Sequence, residues 1–124
     1  MVKEKLANIT TKFEKNFEDF LVYNKPVTRI NGDKKEFTEE HYGFWFPNGY
    51  GASVIRSPYT YGGPELFEVA VLIRDKDRPD DPCAHIITYD TPITGDVIGD
   101  LDESAVSDIL NKIKDLDDYE VQNG

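Results

Sequence analysis

Residues 66–73 read LFEVAVLI, and this run decides the fold class. Seven of its eight side chains are apolar, without the alternation that a half-exposed strand shows. Such a run is typical of a strand covered on both faces. Loop-forming segments with proline lie on either side of it, at 58–64 and 75–82. We therefore predict a central β-strand over 66–73.

Neighbouring segments predict the rest of a sheet over residues 41–90. Residues 41–46 are strongly aromatic, residues 52–57 carry a β-branched run, and residues 84–90 read AHIITYD. A turn signal, Pro47-Asn48-Gly49-Tyr50-Gly51, separates the first two of these segments. The connections are short, so the simplest arrangement is an antiparallel sheet of about four strands.

The N-terminal part of the chain predicts a helix followed by a ribbon. Apolar residues recur at spacings of three and four, which favours an amphipathic helix over 1–24: Leu6, Ile9, Phe13, Phe17, Phe20 and Leu21. Pro26 disfavours helical geometry in the residue before it. The Asn31-Gly32 pair tolerates the positive φ angles of a tight turn, so a hairpin is predicted over 27–37.

The C-terminal part predicts a second amphipathic helix over 101–117. Its apolar positions repeat with helical period: Leu101, Ala105, Val106, Ile109, Leu110, Ile113 and Leu116. Asp102 is the expected N-cap, and residues 118–124 are expected to fray. The prediction is one α+β domain over 1–124, in which an antiparallel sheet, with an extra N-terminal ribbon, is packed by two helices.

Charge is concentrated towards the C-terminus. The chain has a net charge of −10, and residues 96–124 hold nine acidic residues against two lysines. This balance excludes a generic binder of nucleic-acid phosphates. No apolar run approaches the roughly 20 residues that cross a bilayer, and no signal-peptide pattern opens the chain. We therefore expect neither a nucleic acid nor a membrane as a direct partner.

Catalytic and metal-binding patterns are weak. Ser53 lacks the glycine two positions later that a nucleophile elbow requires. The remaining candidate groups are Cys83, His85, His41 and Asp90, whose spacing fits no common zinc site. We expect no catalytic residues, metal or cofactor, and an enzyme built on these four groups is the third hypothesis.

The outer face of the C-terminal helix is the strongest functional signal. With about 100° per residue, the buried stripe is predicted to run through Leu101, Ala105, Ile109, Ile113 and Leu116. Asp108 and Asp115 then lie on the opposite half of the helix, about 10 Å apart along its axis. Such a surface would attract a protein with a basic surface, for example a nucleic-acid-binding one. The alternative is a solvated helix that only confers solubility. The candidate partner-binding residues are Asp100, Glu103, Asp108, Asp115, Asp117 and Asp118, with Tyr50, Tyr59 and Tyr61 as aromatic contacts.

The chain also resembles a family of small, uncharacterised proteins of tailed bacteriophages. The matching motifs are FPNGYGASVIR at 46–56, YGG at 61–63, LFEVAVL at 66–72 and YDTPITGDVIG at 89–99, followed by a closing helix. The resemblance implies no activity, but it does imply a phage setting and the cytoplasm of a bacterial host. The leading hypothesis is therefore a non-enzymatic phage protein that binds and inhibits a host protein. A nucleic-acid-directed defence enzyme is the expected target, as for anti-CRISPR and anti-restriction proteins. The second hypothesis is a structural or assembly accessory that self-associates into a homo-oligomer.

Overall fold

A computed structural model of the chain describes residues 8–58, 65–75, 77–78, 85–88, 91 and 98–117. In chain order, the elements within these residues are α1 (Lys12–Asn16), a 3₁₀-helix (Glu18–Phe20), β1 (Leu21–Tyr23), β2 (Pro26–Ile30), β3 (Glu36–Trp45), β4 (Tyr50–Arg56), β5 (Phe67–Arg74), β6 (His85–Ile87), β7 (Ile98–Leu101) and α2 (Glu103–Lys114). The predicted fold class is confirmed at this level. Over the described ranges the fold is α+β, with an antiparallel sheet and two α-helices.

The strands of the described residues form one antiparallel sheet. Strands β3, β4 and β5 lie at its centre. Strands β1 and β2 both pair with the outer edge of β3, while β6 and β7 both pair with the outer edge of β5. The four strands predicted over 41–90 correspond to β3 to β6, and β2 belongs to the predicted hairpin. Strands β1 and β7 are not predicted by the sequence pattern.

Strand β5 is buried on both faces. Val69 and Val71 pack in the main core beneath the helices, with 0% and 1% of their surface exposed. Ala70 and Leu72 point to the opposite face and are each 6% exposed. On that second face, Leu72 packs in a smaller cluster with Trp45. The continuous apolar run therefore fills two layers, as its composition predicts.

The main core lies between the sheet and the helices, and aromatic rings form much of it. The Phe13 ring meets those of Tyr42 and Phe67 edge to face, with centroid distances of 5.1 and 5.2 Å. This geometry is favoured by the ring quadrupoles and adds to the hydrophobic gain. Helix α2 contributes three fully buried side chains, Val106, Leu110 and Ile113.

The N-terminal helix is much shorter than the helix predicted over 1–24. Helix α1 begins after Thr11, whose hydroxyl accepts a hydrogen bond from the Glu14 N–H at 3.2 Å. The Glu14 carboxylate in turn accepts from the Thr11 N–H at 3.0 Å, which completes a capping box. The helix ends at Asn16, so it has five residues. Residues 1–7 of the predicted helix lie outside the described residues.

The end of the predicted helix is strand β1 instead. Leu21 and Val22 are consecutive and are 0% and 1% exposed, because one faces the main core and the other the second cluster. The strand is stabilised by pairing with β3, where Leu21 lies opposite Phe44. Helical spacing cannot reveal this outcome, because the deciding partner lies more than 20 residues away in sequence.

A hairpin lies at the predicted place, but its turn differs from the predicted one. The chain reverses between β2 and β3 through Gly32, Asp33 and Lys34, and Lys34 holds the positive φ of 61°. The Asn31 side-chain oxygen accepts hydrogen bonds from the N–H groups of Asp33 and Lys35, at 2.9 and 3.0 Å. The turn is therefore a three-residue loop closed by Asn31 rather than a two-residue Asn-Gly turn.

Helix α2 lies inside the predicted range 101–117. Asp102 caps it as predicted, since its carboxylate accepts from the Ala105 N–H at 2.8 Å. Leu101 belongs instead to the end of β7, opposite Phe67 of β5. Residues 118–124, which the sequence predicts to fray, are outside the described part of the chain.

The buried face of α2 is rotated from the predicted one. Ala105 and Ile109, at the centre of the predicted stripe, are half-buried, whereas Val106 and Leu110 are fully buried. At about 100° per residue this is a rotation of about 90°. Apolar side chains occupy more than half of the helix circumference, so the sequence period alone cannot locate the centre of the buried face.

Asn48, in the β3–β4 turn, holds the C-terminal end of α2. Its Nδ2 donates hydrogen bonds to the carbonyl oxygens of Ile113, Lys114 and Leu116, at 2.8, 3.1 and 3.0 Å. Its Oδ1 accepts from the Tyr50 N–H at 3.1 Å. The last carbonyls of a helix have no partner within it, so this buried amide supplies donors that α2 itself lacks.

We expect Asn48→Asp to lower the free energy of unfolding by about 2–4 kcal/mol. The carboxylate cannot donate to the three carbonyls, and its charge opposes the negative end of the helix dipole. Urea denaturation at pH 7 measures the change. Asn31→Asp is the matched control, because Asn31 uses its side-chain oxygen as an acceptor in the hairpin turn. Equal losses in the two variants would contradict the capping role.

Candidate protein-binding surface

Helix α2 carries two of the predicted site residues on its solvent side. Asp108 and Asp115 are both exposed. Within the part of the chain that the structure describes, neither carboxylate forms an ion pair. Their exposure follows from the docking of Val106 and Leu110 against the sheet, since the opposite side of the helix must face water. We call Asp108 and Asp115 the acidic pair.

The other predicted acids have different surroundings. Asp100 is exposed at the end of β7, with a φ of 57° beside an irregularity in the pairing with β5. Glu103 is half-buried, and its carboxylate accepts a hydrogen bond from the Lys12 N–H at 2.9 Å, so it ties α2 to α1. Asp117 is exposed just beyond α2. Asp118 lies outside the described residues.

Lysines make the surface of α2 less negative than the sequence count indicates. The helix with its two capping residues, 102–115, carries four acidic residues and two lysines, Lys112 and Lys114. Lys112 is exposed and Lys114 is half-buried. Much of the charge of residues 96–124 therefore lies in the segments that flank α2.

Tyr50 does not belong to a binding surface. It is 1% exposed and its ring lies in the main core, so this part of the predicted site is wrong. The reason is the alternation of side chains along β4, which decides the face of the sheet that each residue occupies. Tyr50 begins β4 and faces the same side as Ala52 and Val54, which are fully buried beneath the helices. Tyr59 and Tyr61 lie outside the described residues.

A cleft lies beside Asp108, between α2 and the N-terminal helical segment. It has a volume of about 350 Å³. The rings of Phe17 and Phe20 line one side, and Asp108 and Asn111 lie among the polar residues of the other. The Asn16 amide nitrogen lies 3.4 Å from its hydrogen-bond acceptor, the Ser107 hydroxyl oxygen, and this contact bridges the two segments. We call this space the α1–α2 cleft.

Sequence reasoning missed the α1–α2 cleft. It placed Phe20 on the apolar face of a long N-terminal helix, and it assigned no role to Ser107 or Asn111. The one available signal was the presence of uncharged polar groups beside Asp108. The juxtaposition itself joins segments 91 residues apart, which no local pattern shows.

A second cavity, of about 210 Å³, lies beside the break between β1 and β2. Glu14 forms part of its wall, although only 1% of the surface of this residue is exposed. Asn24 donates to the Glu14 carboxylate at 2.7 Å, and the Thr11 hydroxyl donates to it at 2.8 Å. With the N–H groups of Thr10 and Thr11, four donors compensate the buried charge. This group therefore has a structural role.

Glu40, Arg56 and Tyr42 form a partly buried polar cluster across β3 and β4. The Arg56 guanidinium binds both carboxylate oxygens of Glu40, and the Tyr42 O–H donates to Glu40 at 2.9 Å. Burial alone would raise the pKa of Glu40, but the hydrogen bonds from Arg56 and Tyr42 outweigh it and hold that pKa below its usual value. The pKa of Tyr42 is raised, mainly because its hydroxyl is buried and secondly because it donates a hydrogen bond to Glu40.

The structure describes two of the four groups of the enzyme hypothesis, His41 and the backbone of His85, and these two lie far apart in the sheet. His41 lies on β3 and the backbone of His85 lies on β6, with β4 and β5 between them. Three strand spacings of about 4.8 Å separate them across the sheet, and six residues of β5 at about 3.3 Å each separate them along it, so their backbones are more than about 20 Å apart. Cys83 and Asp90 lie outside the described residues. Among the described residues, no three His, Cys, Asp or Glu side chains are grouped as a metal site would require.

Comparisons with protein-family models, curated proteins and solved structures found no match to this chain. Among the helices of the described residues, none has the length and apolar character that crossing a lipid bilayer requires.

The Glu40 cluster predicts a pH-dependent contribution to stability. Because its pKa is lower in the folded state, ionised Glu40 stabilises the fold above about pH 4.5, and the contribution is lost as the pH falls through the folded pKa. Its side chain is 37% exposed, so we expect about 1 kcal/mol. Urea denaturation at pH 6 should show this loss in Glu40→Gln, and the difference from wild type should shrink at pH 3.5. The control is Glu36→Gln, which alters an exposed residue of the same strand. A constant difference between wild type and Glu40→Gln at both pH values would contradict the prediction.

Proposed function

We propose that this protein is a non-enzymatic acidic phage protein that binds and inhibits a bacterial host protein in the cytoplasm of the host. The target has a basic surface and is a nucleic-acid-directed defence enzyme of the CRISPR or restriction type. The resemblance to tailed-phage proteins supplies the setting. The chemistry comes from the acidic surface of α2.

The acidic pair is the observation that carries the proposal. Asp108 and Asp115 are exposed on a helix that Asp102 caps at one end and Asn48 holds at the other. No ion pair within the described residues neutralises them. A basic partner would therefore meet unpaired carboxylates at fixed positions, without first breaking internal contacts.

The expected contribution of the acidic pair is to association rate and partner choice more than to affinity. An exposed ion pair contributes about 0–1 kcal/mol. The two carboxylates lie about 10 Å apart along the helix axis, close to the Debye length of about 8 Å at physiological salt. Their fields therefore overlap and steer a basic surface towards α2 at low ionic strength.

Charge reversal at the acidic pair tests the proposal. We expect the Asp108→Lys/Asp115→Lys variant to capture several-fold less of a basic host protein from lysate at low salt, because repulsion replaces attraction. In a host whose restriction or CRISPR system blocks a test phage, wild-type protein should raise plating efficiency at least tenfold, and this variant should lose most of that effect. Pull-down with mass spectrometry and plaque counts are the measurements.

The matched control for this test is Asp33→Lys/Glu36→Lys. It makes the same charge change at exposed residues of the β2–β3 hairpin. Retained capture and protection in the control, with loss in the α2 variant, supports the proposal. Equal behaviour of the two variants, or no protection by wild type, would refute it.

Self-association as an assembly accessory is the second candidate, and the exposure of Ile30 favours it. Ile30 is 66% exposed on β2, which together with β1 forms that edge of the sheet within the described residues. An apolar residue on an edge strand is a common point of strand pairing between copies. Light scattering over a concentration series separates the candidates. A dimer that Ile30→Lys converts to a monomer supports self-association, and a wild-type monomer at all concentrations contradicts it.

A further inference from the structure

The α1–α2 cleft combines an apolar wall with a carboxylate on its rim. Phe17 is 6% exposed and Phe20 is half-buried, and the Phe20 ring is supported by the Phe46 ring at a centroid distance of 5.3 Å. Across the cleft lie Asp108 and Asn111, on the outward side of α2. A ligand in this cleft would meet aromatic carbon on one side and acceptor oxygens on the other.

Elsewhere in the protein, a phenylalanine ring and a carboxylate together bind an arginine side chain. The Arg56 guanidinium lies over the Phe67 ring, with its carbon 4.5 Å from the ring centroid. The same guanidinium donates to both oxygens of the Glu40 carboxylate. Its charge is therefore paired with the carboxylate while the guanidinium lies over the ring in a cation–π contact. The α1–α2 cleft offers a Phe ring and a carboxylate of the same kinds.

We propose that the α1–α2 cleft binds an arginine side chain of the partner. This inference rests on the proposed function and names the group by which the basic partner is recognised. The guanidinium pairs with the Asp108 carboxylate and donates to the side-chain oxygen of Asn111, while its face and aliphatic stem pack on Phe20.

Charge complementarity favours arginine over other occupants. A leucine would cover the Asp108 carboxylate without supplying a donor, which is costly. A lysine supplies charge but has no planar face to stack on a ring and no fork of donors to share among the carboxylate and amide oxygens. Of these three side chains, arginine alone matches both sides of the cleft.

Lys114 on the rim of the cleft modulates the affinity. It is half-buried there, whereas Lys112 of the same helix is exposed and is not part of the cleft. The Lys114 ammonium repels a guanidinium, so its removal should strengthen binding of arginine. Lys112 provides the comparison in which the same charge is removed from the same helix outside the cleft.

The test is an NMR titration of the ¹⁵N-labelled full chain with the peptide acetyl-Gly-Gly-Arg-Gly-Gly-amide. We expect saturable shifts of the backbone amides of Asn16, Ser107, Asp108 and Asn111. The peptide with citrulline in place of arginine keeps the shape without the charge and should bind about fivefold more weakly. A lysine peptide should also bind more weakly than the arginine peptide.

Single-residue variants of α2 show which side chains contribute to binding of the arginine peptide. Asp108→Asn should weaken binding of the arginine peptide about fivefold, whereas Asp115→Asn, the same change on the same helix outside the cleft, should change it less than twofold. Lys114→Gln should tighten binding more than Lys112→Gln. The two exposed Asp changes leave the core untouched, so folding is not at risk.

The outcomes separate this inference from the proposed function. Equal weakening by Asp108→Asn and Asp115→Asn would refute specific arginine binding in the α1–α2 cleft. It would leave a diffuse acidic surface, which is compatible with the proposed function. Absence of shifts at the cleft, or equal binding of the arginine and citrulline peptides, would also overturn the inference. The charge-reversal and plating experiments test the proposed function independently of the peptide.

Discussion

The contact between the Asn48 side chain and the end of α2 is the constraint on which the proposed binding surface depends. One amide nitrogen donates to three main-chain carbonyls at and just beyond the end of the helix, and it does so across 65–68 residues of sequence. The same side chain accepts from the Tyr50 N–H, so the β3–β4 turn and the helix end share one polar group. Gly49, with a φ of 88°, lets the chain turn back into β4 immediately after it. The position of α2 along the sheet is thereby coupled to a tight turn.

A second buried polar group positions the other wall of the α1–α2 cleft. Glu14 forms the capping box of α1 and also accepts from Asn24, the residue at which the edge strand is interrupted between β1 and β2. A buried carboxylate is tolerated only when donors surround it, and here they come from the start of α1 and from the strand break. The short helix is thus fixed to the sheet at its first turn. Phe17 and Phe20 follow within two turns, so their placement derives from the same network.

The features that the sequence predicted are those decided by nearby residues. The run LFEVAVLI predicts a central strand by itself, and Asp102 predicts a helix start because its partner, the Ala105 N–H, is three residues away. The exposure of Asp108 and Asp115 was also predictable, because helical periodicity places both outside the predicted apolar stripe as well as outside the face that is buried. Leu21 was not predictable as a strand residue, because the edge of β3 decides it.

In the candidate site too, features decided by nearby residues were predictable and features decided by distant residues were not. The acidic pair belongs to one helix, so periodicity locates it. Tyr50 was misplaced because its burial depends on the phase of β4 relative to the helices above the sheet. The α1–α2 cleft depends on both an early helix end and the rotation of α2, and an error of about 90° in that rotation moves every side chain by roughly a quarter turn. Such rotations are decided by packing of the whole sheet, which no single segment encodes.

Rigidity links these constraints to the proposed function. Helix α2 is capped by Asp102, held by Asn48 and tied to α1 through the Glu103 carboxylate and the Asn16–Ser107 contact. A surface that is already ordered loses little backbone entropy when a partner binds, so even contacts of about 1 kcal/mol each can contribute to a specific complex. The same carboxylates on a frayed tail would first have to be ordered. The folded position of Asp108, rather than the overall charge of −10, is therefore what distinguishes this surface from that of an ordinary acidic protein.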